Sequence, residues 1–306
     1  QRTSILSTTG GAKNFSLSGM ASITVDPNDP QAIYYGTVNQ GLLYTFDRGK
    51  SWQVAKNLAM TTIKAIEVDP LKTCTVYAAV GRKIFKTENC SRSWKMMFTD
   101  NSSSVTVEAI KVDHFNSDRI IAALSRGDVI QSTDAGKSWQ TIHRFGQEIQ
   151  DFIMDPNDSR LMYAKVEGKG FMVSADGANT WQKLGLDASE FKIGAVGRLQ
   201  LFKGYPDLMY MSTQKGIIKS TDKGKNWEAL KLLPPKDEAG VISYTVNPAN
   251  ANEVYYVTTK TFYKSVDGGE NWITKKMPTT KKPKRIFLDQ EKDNILYLGL
   301  QAPPQK

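Results

Sequence analysis

The side chains able to do acid–base or nucleophilic chemistry are mainly carboxylates, because 306 residues contain only His114, His143, Cys74 and Cys90 of the imidazole and thiol types. A Ser-His triad needs an oriented imidazole, and most structural zinc sites need four His or Cys ligands, so both chemistries are short of parts. Glu67, Glu108, Glu148 and Asp151 fall on or near strands that open successive repeats and could line a central channel. Two such carboxylates, suitably spaced, would protonate a leaving oxygen and activate a water, as in glycoside hydrolysis. The alternative is that they are solvated wall charges or partners of nearby lysines, and the reading adopted assigns no catalytic residue. His143 beside Arg144 reads as a surface residue on a loop, and His114 occupies the proline slot of a turn. No glycine-rich phosphate loop and no metal-ligand cluster occurs, so no cofactor or metal is expected.

The elements that must position these groups are marked by the tryptophans. All six close one motif, beginning Thr45-Phe-Asp47-Arg-Gly49-Lys-Ser51-Trp52 and recurring at Asn89 to Trp94, Asp134 to Trp139, Asp176 to Trp181, Asp222 to Trp227 and Asp267 to Trp272. The tryptophans are 42 to 46 residues apart, with a mean of 44. A period of that size fixes the architecture. Each motif reads as a hairpin turn: the Asp or Asn accepts backbone hydrogen bonds, Gly takes a left-handed position, Ser or Thr adds a local bond, and Trp plugs the turn against its sheet. Asn89 with Ser91, and Ala178 in the Gly slot, are the weakened copies. Six repetitions point to turn staples, since one catalytic group is not needed six times.

Around each turn the same strands recur. A first strand ends in Val25-Asp26-Pro27 or its equivalents, a β-rich second follows, as in Val76-Tyr77-Ala78, a third leads into the turn, and a fourth starts at the Trp. Four short strands per repeat with no helical period predict an all-β, seven-bladed β-propeller of four-stranded blades, one domain over residues 1–306. The second-strand pattern occurs seven times but the tryptophan turn six. Residues near 2–18 are therefore expected to complete the sheet begun by residues 284–300, which removes open sheet edges.

These turns match the Asp-box, or BNR, repeat, and the resemblance covers nearly the whole chain. Families that carry it include sialidases, xyloglucanases, sortilin ectodomains and the photosystem II assembly factor of plants and cyanobacteria. Size and blade count are most similar to the last group, which implies membrane-complex assembly. A sialidase-like activity would need an arginine triad and an Arg-Ile-Pro motif, and the motif is absent. A xyloglucanase-like cleft lies between two propellers, and this length makes one. The repeat is specific for the fold and says little about activity.

Lys plus Arg exceed Asp plus Glu by 40 to 31, a net charge of +9, too dispersed to imply nucleic acid. In such a fold the second-to-third and fourth-to-first connections share one edge, and the tryptophan turns occupy the other. Arg82, Lys169, Lys215 and Lys260 fall at one offset in the second-to-third turns, with Arg126 one residue displaced; Arg144, Lys284 and Arg285 add to that edge from the fourth-to-first side. Polar turns favour lysine, so this is either a solvated face or a ring that focuses potential on an acidic protein segment or anionic glycan.

If the hairpin centres on Gly81-Arg82, Cys74 and Cys90 face each other across it and can bridge, the alternative being two separate thiols. A bridge favours an oxidising, extracytoplasmic location: periplasm, cell surface or secretion. No apolar run long enough for a membrane helix occurs, and membrane association would need an anchor before Gln1. Asn14 and Asn101 head glycosylation sequons, relevant only to a secreted eukaryotic protein. The resulting expectation is an exported, non-enzymatic binding or assembly scaffold, with a carbohydrate-active propeller as the alternative.

Overall fold

The computed structural model describes residues 20–186, 198–214, 216–233, 240–288 and 296–300. The described residues form strands, turns and bends, with no helix. The chain divides into two compact units, Gln1–Met154 with Ser159–Trp181, and Asp155–Asp158 with Gln182–Lys306.

In the first unit, sheet 1 is the meander β1 (Met20–Asp26), β2 (Asp29–Thr37), β3 (Gly41–Thr45) and β4 (Gln53–Ala59). Sheet 2 is β5 (Ile63–Val68), β6 (Val76–Val80), β7 (Lys83–Thr87) and β8 (Lys95–Thr99). Sheet 3 follows as β9 (Val107–Asp113), β10 (Asn116–Leu124), β11 (Asp128–Ser132) and β12 (Gln140–Arg144). The unit ends with β13 (Ile149–Met154), β14 (Met162–Val166) and β15 (Gly170–Ser174) of sheet 4. Within each sheet, successive strands pair antiparallel.

The second unit begins with β16 (Gln182–Lys183) and builds sheet 5 from β17 (Leu199–Phe202), β18 (Tyr205–Thr213), β19 (Gly216–Ser220) and β20 (Glu228–Ala229). Sheet 6 is β21 (Ser243–Asn247), β22 (Asn250–Val257), β23 (Thr261–Ser265) and β24 (Ile273–Lys276), and sheet 7 shows β25 (Pro283–Leu288) paired with β26 (Leu296–Leu300). The expected closure of sheet 7 by residues near 2–18 lies outside the described residues.

Burial explains why these sequences make these strands. Second strands such as Val76–Val80 are apolar on both faces because a neighbouring sheet covers each face, so they read as continuous hydrophobic runs. Fourth strands such as Ile273–Lys276 are exposed and polar. Buried clusters fill the gaps between consecutive sheets: Tyr34, Leu42 and Leu58 with Ile66, Val76 and Ala78; Tyr77 and Ile84 with Ile110, Ile120 and Ala122; Ile121, Val129 and Phe145 with Phe152, Met162 and Ala164. In the second unit Tyr210 and Ile217 join Tyr244, Val246 and Val254, and Tyr255 and Val257 join Ile286 and Leu288.

The tryptophan turns lock in one way. Asp47 Oδ1 accepts from the Ser51 amide at 2.9 Å, the Thr45 hydroxyl accepts from the Gly49 amide at 3.1 Å, and Trp52 Nε1 donates to the Gly49 carbonyl at 3.1 Å. The same bonds recur around Asp134, Asp176, Asp222 and Asp267. Two consecutive left-handed residues stand where one was expected, as in Arg48 and Gly49 (φ 58° and 82°) or Gly177 and Ala178 (78° and 77°). In sheet 2 neither position is glycine: Cys90 and Ser91 take φ of 54° and 66°. Cys90 is disulfide-bonded to Cys74, whose carbonyl also accepts from the Cys90 amide at 3.3 Å, so a covalent tie holds the strained corner. Trp94 of this turn is buried, and its Nε1 has no partner among the described residues.

Candidate binding edge and first-strand wall

First strands β1, β5, β9 and β13 lie side by side in sequence of sheets, so their side chains form a common wall. On it, Lys64 and Glu67 of β5 meet Glu108 and Lys111 of β9 with the charges reversed. Lys64 Nζ is 3.0 Å from Glu108 and Lys111 Nζ is 2.9 Å from Glu67; both pairs join residues 44 apart, one repeat. The Thr106 hydroxyl also donates to Glu108. Burial raises the Glu67 carboxyl above its ordinary value, and the Lys111 ammonium opposes that rise. Asp151 stands opposite Lys165 across β13 and β14, and Lys165 is held below the usual ammonium value by burial against the support of Asp151. Glu148 is exposed next to β13. Among the described residues, no group of three or more His, Cys, Asp or Glu side chains converges as a metal site.

The loop edge differs in composition. The turn between β6 and β7 carries Arg82, whose carbonyl accepts from the Asp100 amide at 3.0 Å and whose guanidinium reaches the Asn101 carbonyl at 3.4 Å. Arg126, between β10 and β11, bridges two carboxylates, Asp100 at 2.8 Å and Asp128 at 2.7 Å, and Arg144 approaches Asp128 at 3.5 Å. Asp100 and Asp128 are buried beneath these arginines. Burial pushes the Asp100 carboxyl up, but hydrogen bonds from Arg126 and the Ser102 amide outweigh it and hold the group below its ordinary value; the two carboxylates in turn raise Arg126. Lys169, between β14 and β15, donates to the Phe145 carbonyl at 2.7 Å, with its ammonium 5.8 Å from the Phe145 ring centre. Second-to-third turns and fourth-to-first loops therefore do meet along one edge of this unit.

In the second unit Lys260 sits in the turn between β22 and β23, and its carbonyl accepts from the Met277 amide at 2.8 Å. Lys284 and Arg285 lie on β25 itself and not in the preceding loop. Lys215 falls outside the described residues. His143 is on the outer strand β12, its Nδ1 3.2 Å from the Asn179 carbonyl, so it does not enter the wall. Sequence reasoning missed Asp100 and Asp128. The Arg126-x-Asp128 spacing could have suggested one, whereas Asp100 meets Arg126 only through the approach of sheets 2 and 3.

The fold and its repeated turns define a β-propeller. Solved structures bear this out at the level of fold. "YCF48 bound to D1 peptide" superposes with a TM-score of 0.74 at 15% identity, covering 94% of this chain and 92% of that one. YCF48 from Cyanidioschyzon merolae gives 0.73 at 12%, covering 95% of each. The GH74 xyloglucanase from Xanthomonas campestris gives 0.72 at 16%, covering 94% of this chain but 52% of the enzyme. By sequence, a xyloglucanase of Paenibacillus sp is 25% identical over a match covering 42% of this chain and 16% of that protein, so the chain matches about a sixth of that relative's length. No protein-family profile matches the sequence.

Proposed function

We propose that this chain is an Asp-box propeller that works outside the cytoplasm as a non-enzymatic binding or assembly scaffold, and that residues 1–306 act as one domain. It takes hold of an acidic protein segment or another anionic partner through the loop cations Arg82, Arg126, Arg144 and Lys169 of the first unit, with Lys215, Lys260 and the β25 residues Lys284 and Arg285 of the second as further contacts. The observation that carries this reading is the pairing of Glu67 and Glu108 with Lys111 and Lys64, which engages two of the four carboxylates an acid–base mechanism could draw on. Likeness to a propeller solved with a peptide bound supports a protein segment as the partner class. The Cys74–Cys90 disulfide supports an oxidising compartment. Among the described residues no helix is long and apolar enough to cross a membrane.

A second reading, a carbohydrate-active propeller, draws on the xyloglucanase match. The two are separated by assaying reducing-sugar release from xyloglucan alongside salt-graded affinity capture from native extract. The scaffold reading expects no sugar release and a captured protein that leaves the resin as salt rises. Release of sugar that disappears in Glu67→Gln or Glu108→Gln overturns it.

A further inference from the structure

Three sheets carry a lysine on the third strand directly opposite a tyrosine of the second: Lys86 with Tyr77, Lys219 with Tyr210 and Lys264 with Tyr255. In each, the ammonium lies over the ring, 5.4, 6.0 and 5.3 Å from its centre. Two of the three are neutralised locally. Lys86 Nζ is 2.7 Å from Glu88 and 3.4 Å from the Ala135 carbonyl in the next sheet's turn, and Lys264 Nζ is 3.7 Å from Glu253. Lys219 differs: among the described residues its ammonium makes no ion pair and no hydrogen bond, although Glu228 stands opposite it across β19 and β20. The residue equivalent to Ala135 is Gly268, and a Cβ placed there would stand 3.9 Å from Lys219 Nζ.

Where the other lysines close their surroundings, the crevice at Lys219 opens into a cavity of about 360 Å³ at the tryptophan-turn edge of sheets 5 and 6. Tyr205, Pro206, Thr221 and Asn252 line it with Lys219 and Tyr210. Three of its main-chain carbonyls are already used: that of Asn252 accepts from the Gly268 amide, that of Asp207 from the Lys223 amide, and that of Ala251 from the Tyr210 hydroxyl. What the cavity offers a ligand is therefore mostly side-chain chemistry. That disfavours an extended peptide, which is recognised through free strand edges, and favours a small polar ring. Asp207, the acidic group on the rim, is 3.6 Å from Lys223.

We propose that this cavity binds a uronate, a sugar ring bearing a carboxylate. The Lys219 ammonium takes the carboxylate, the Asn252 amide and Thr221 hydroxyl take ring hydroxyls, and Tyr205, exposed at 38%, offers with Pro206 an apolar surface for the ring's C–H face. The site is independent of the loop edge, and its success or failure leaves the scaffold reading untouched.

The test is calorimetric titration with D-glucuronate and D-galacturonate, against D-galactose and the methyl ester of galacturonate. Saturable binding of either uronate at one site is expected, with the neutral sugar and the ester at least about tenfold weaker, the size of one charged hydrogen bond. Lys219→Met should lose at least about tenfold and Asn252→Ala a few-fold, while Lys264→Met binds like the parent. In the unaltered protein, uronate should slow chemical acetylation of Lys219 and not of Lys264, which tests the site without a variant. No saturable binding and no protection, equal binding of galactose and galacturonate, or unchanged binding by Lys219→Met overturns the proposal. A glutamate-containing tripeptide that protects Lys219 when uronates do not overturns the assignment to a sugar.

Discussion

The first-strand wall and the loop edge of the first unit are both built from acid–base pairs, yet their cations are engaged differently. On the wall, Lys64 and Lys111 match Glu108 and Glu67 one for one, and the two pairs cross between adjacent strands. On the edge, Asp100 and Asp128 serve Arg126 and Arg144, while Arg82 and Lys169 lean on carbonyl oxygens that carry no net charge. Lys64 and Lys111 are therefore each committed to a carboxylate, whereas Arg82 and Lys169 on the edge are not, although the exposed Glu148 and Glu167 stand on the same edge. An anionic partner can engage these two cations without breaking an ion pair.

The two regions also bend stability in opposite directions with pH. Glu67 is raised by burial, so its contribution is fully present below the unfolded glutamate value near 4.5 and is lost as pH rises through its folded value. Asp100 is lowered by Arg126 and Ser102 in spite of burial, so its contribution is present above the unfolded aspartate value near 4 and is lost as pH falls. The turn aspartates follow Asp100 more strongly. Asp134 and Asp176 are pulled to about 2 by their side-chain bonds to Ser138 and Thr180, and Asp222 and Asp267 to about 2 by the Asn226 and Asn271 amides.

The largest expected effect falls on sheet 2, which supplies β5 to the wall and Arg82 and Asp100 to the edge. Cys74→Ser should cost about 3 kcal/mol, since the bridge closes a loop of 16 residues and holds two left-handed non-glycine residues in the turn. Urea unfolding checks this; a loss below about 1 kcal/mol would show that Asn89 and its neighbours hold the turn unaided. Next comes Arg126→Ala, which leaves Asp100 without its arginine and Asp128 with Arg144 alone, and should cost about 1–3 kcal/mol. Arg82→Ala and Lys169→Ala should stay within about 0.5 kcal/mol, because neither leaves a buried charge behind. Equal losses for all three would erase the division between structural and available cations on the edge.

A smaller effect sharpens the account of the wall. Lys111→Met should destabilise by about 1 kcal/mol by leaving Glu67 unpaired, and adding Glu67→Gln should recover most of it. Smallest in any one copy is the acid response: melting temperature should fall as pH drops from about 4 toward about 2, and Asp222→Asn should flatten that slope slightly. A slope unchanged when several turn aspartates become asparagine would remove the turns as its source.

Much of this was legible in the sequence, and the reason is locality. The turn staples lie within four residues of their partners, and the disulfide partners face each other across one hairpin, so spacing alone finds both. Lysine partners for Glu67 and Glu108 could be anticipated, though their identity needs one sheet laid against the next. The doubled left-handed corner was hidden because Arg48, Ala135 and Lys223, residues that rarely adopt it, occupy its first position. Asp100 and Lys219 were hidden for a different reason. Asp100 looks like any loop aspartate until Arg126 of the next sheet reaches it, and Lys219 looks like Lys86 and Lys264 until it is seen that, with Glu228 opposite, it still makes no ion pair.

The central claim is that the cations of the loop edge carry recognition. Its most direct test is titration of a fluorescent glutamate-rich peptide by anisotropy, comparing three proteins of controlled net charge. These are the parent, a triple reversal on the loop edge (Arg82→Glu, Lys169→Glu and Lys260→Glu), and a matched reversal on the turn edge (Lys50→Glu, Lys137→Glu and Lys225→Glu). Exposed charges act over about 8–10 Å at physiological salt, so the location of the reversal should matter as well as the total. The loop-edge variant is expected to lose binding while melting like the parent, and the turn-edge variant to keep it. Equal weakening by both sets would mean that the peptide responds only to the overall charge of +9, and that result would contradict the account.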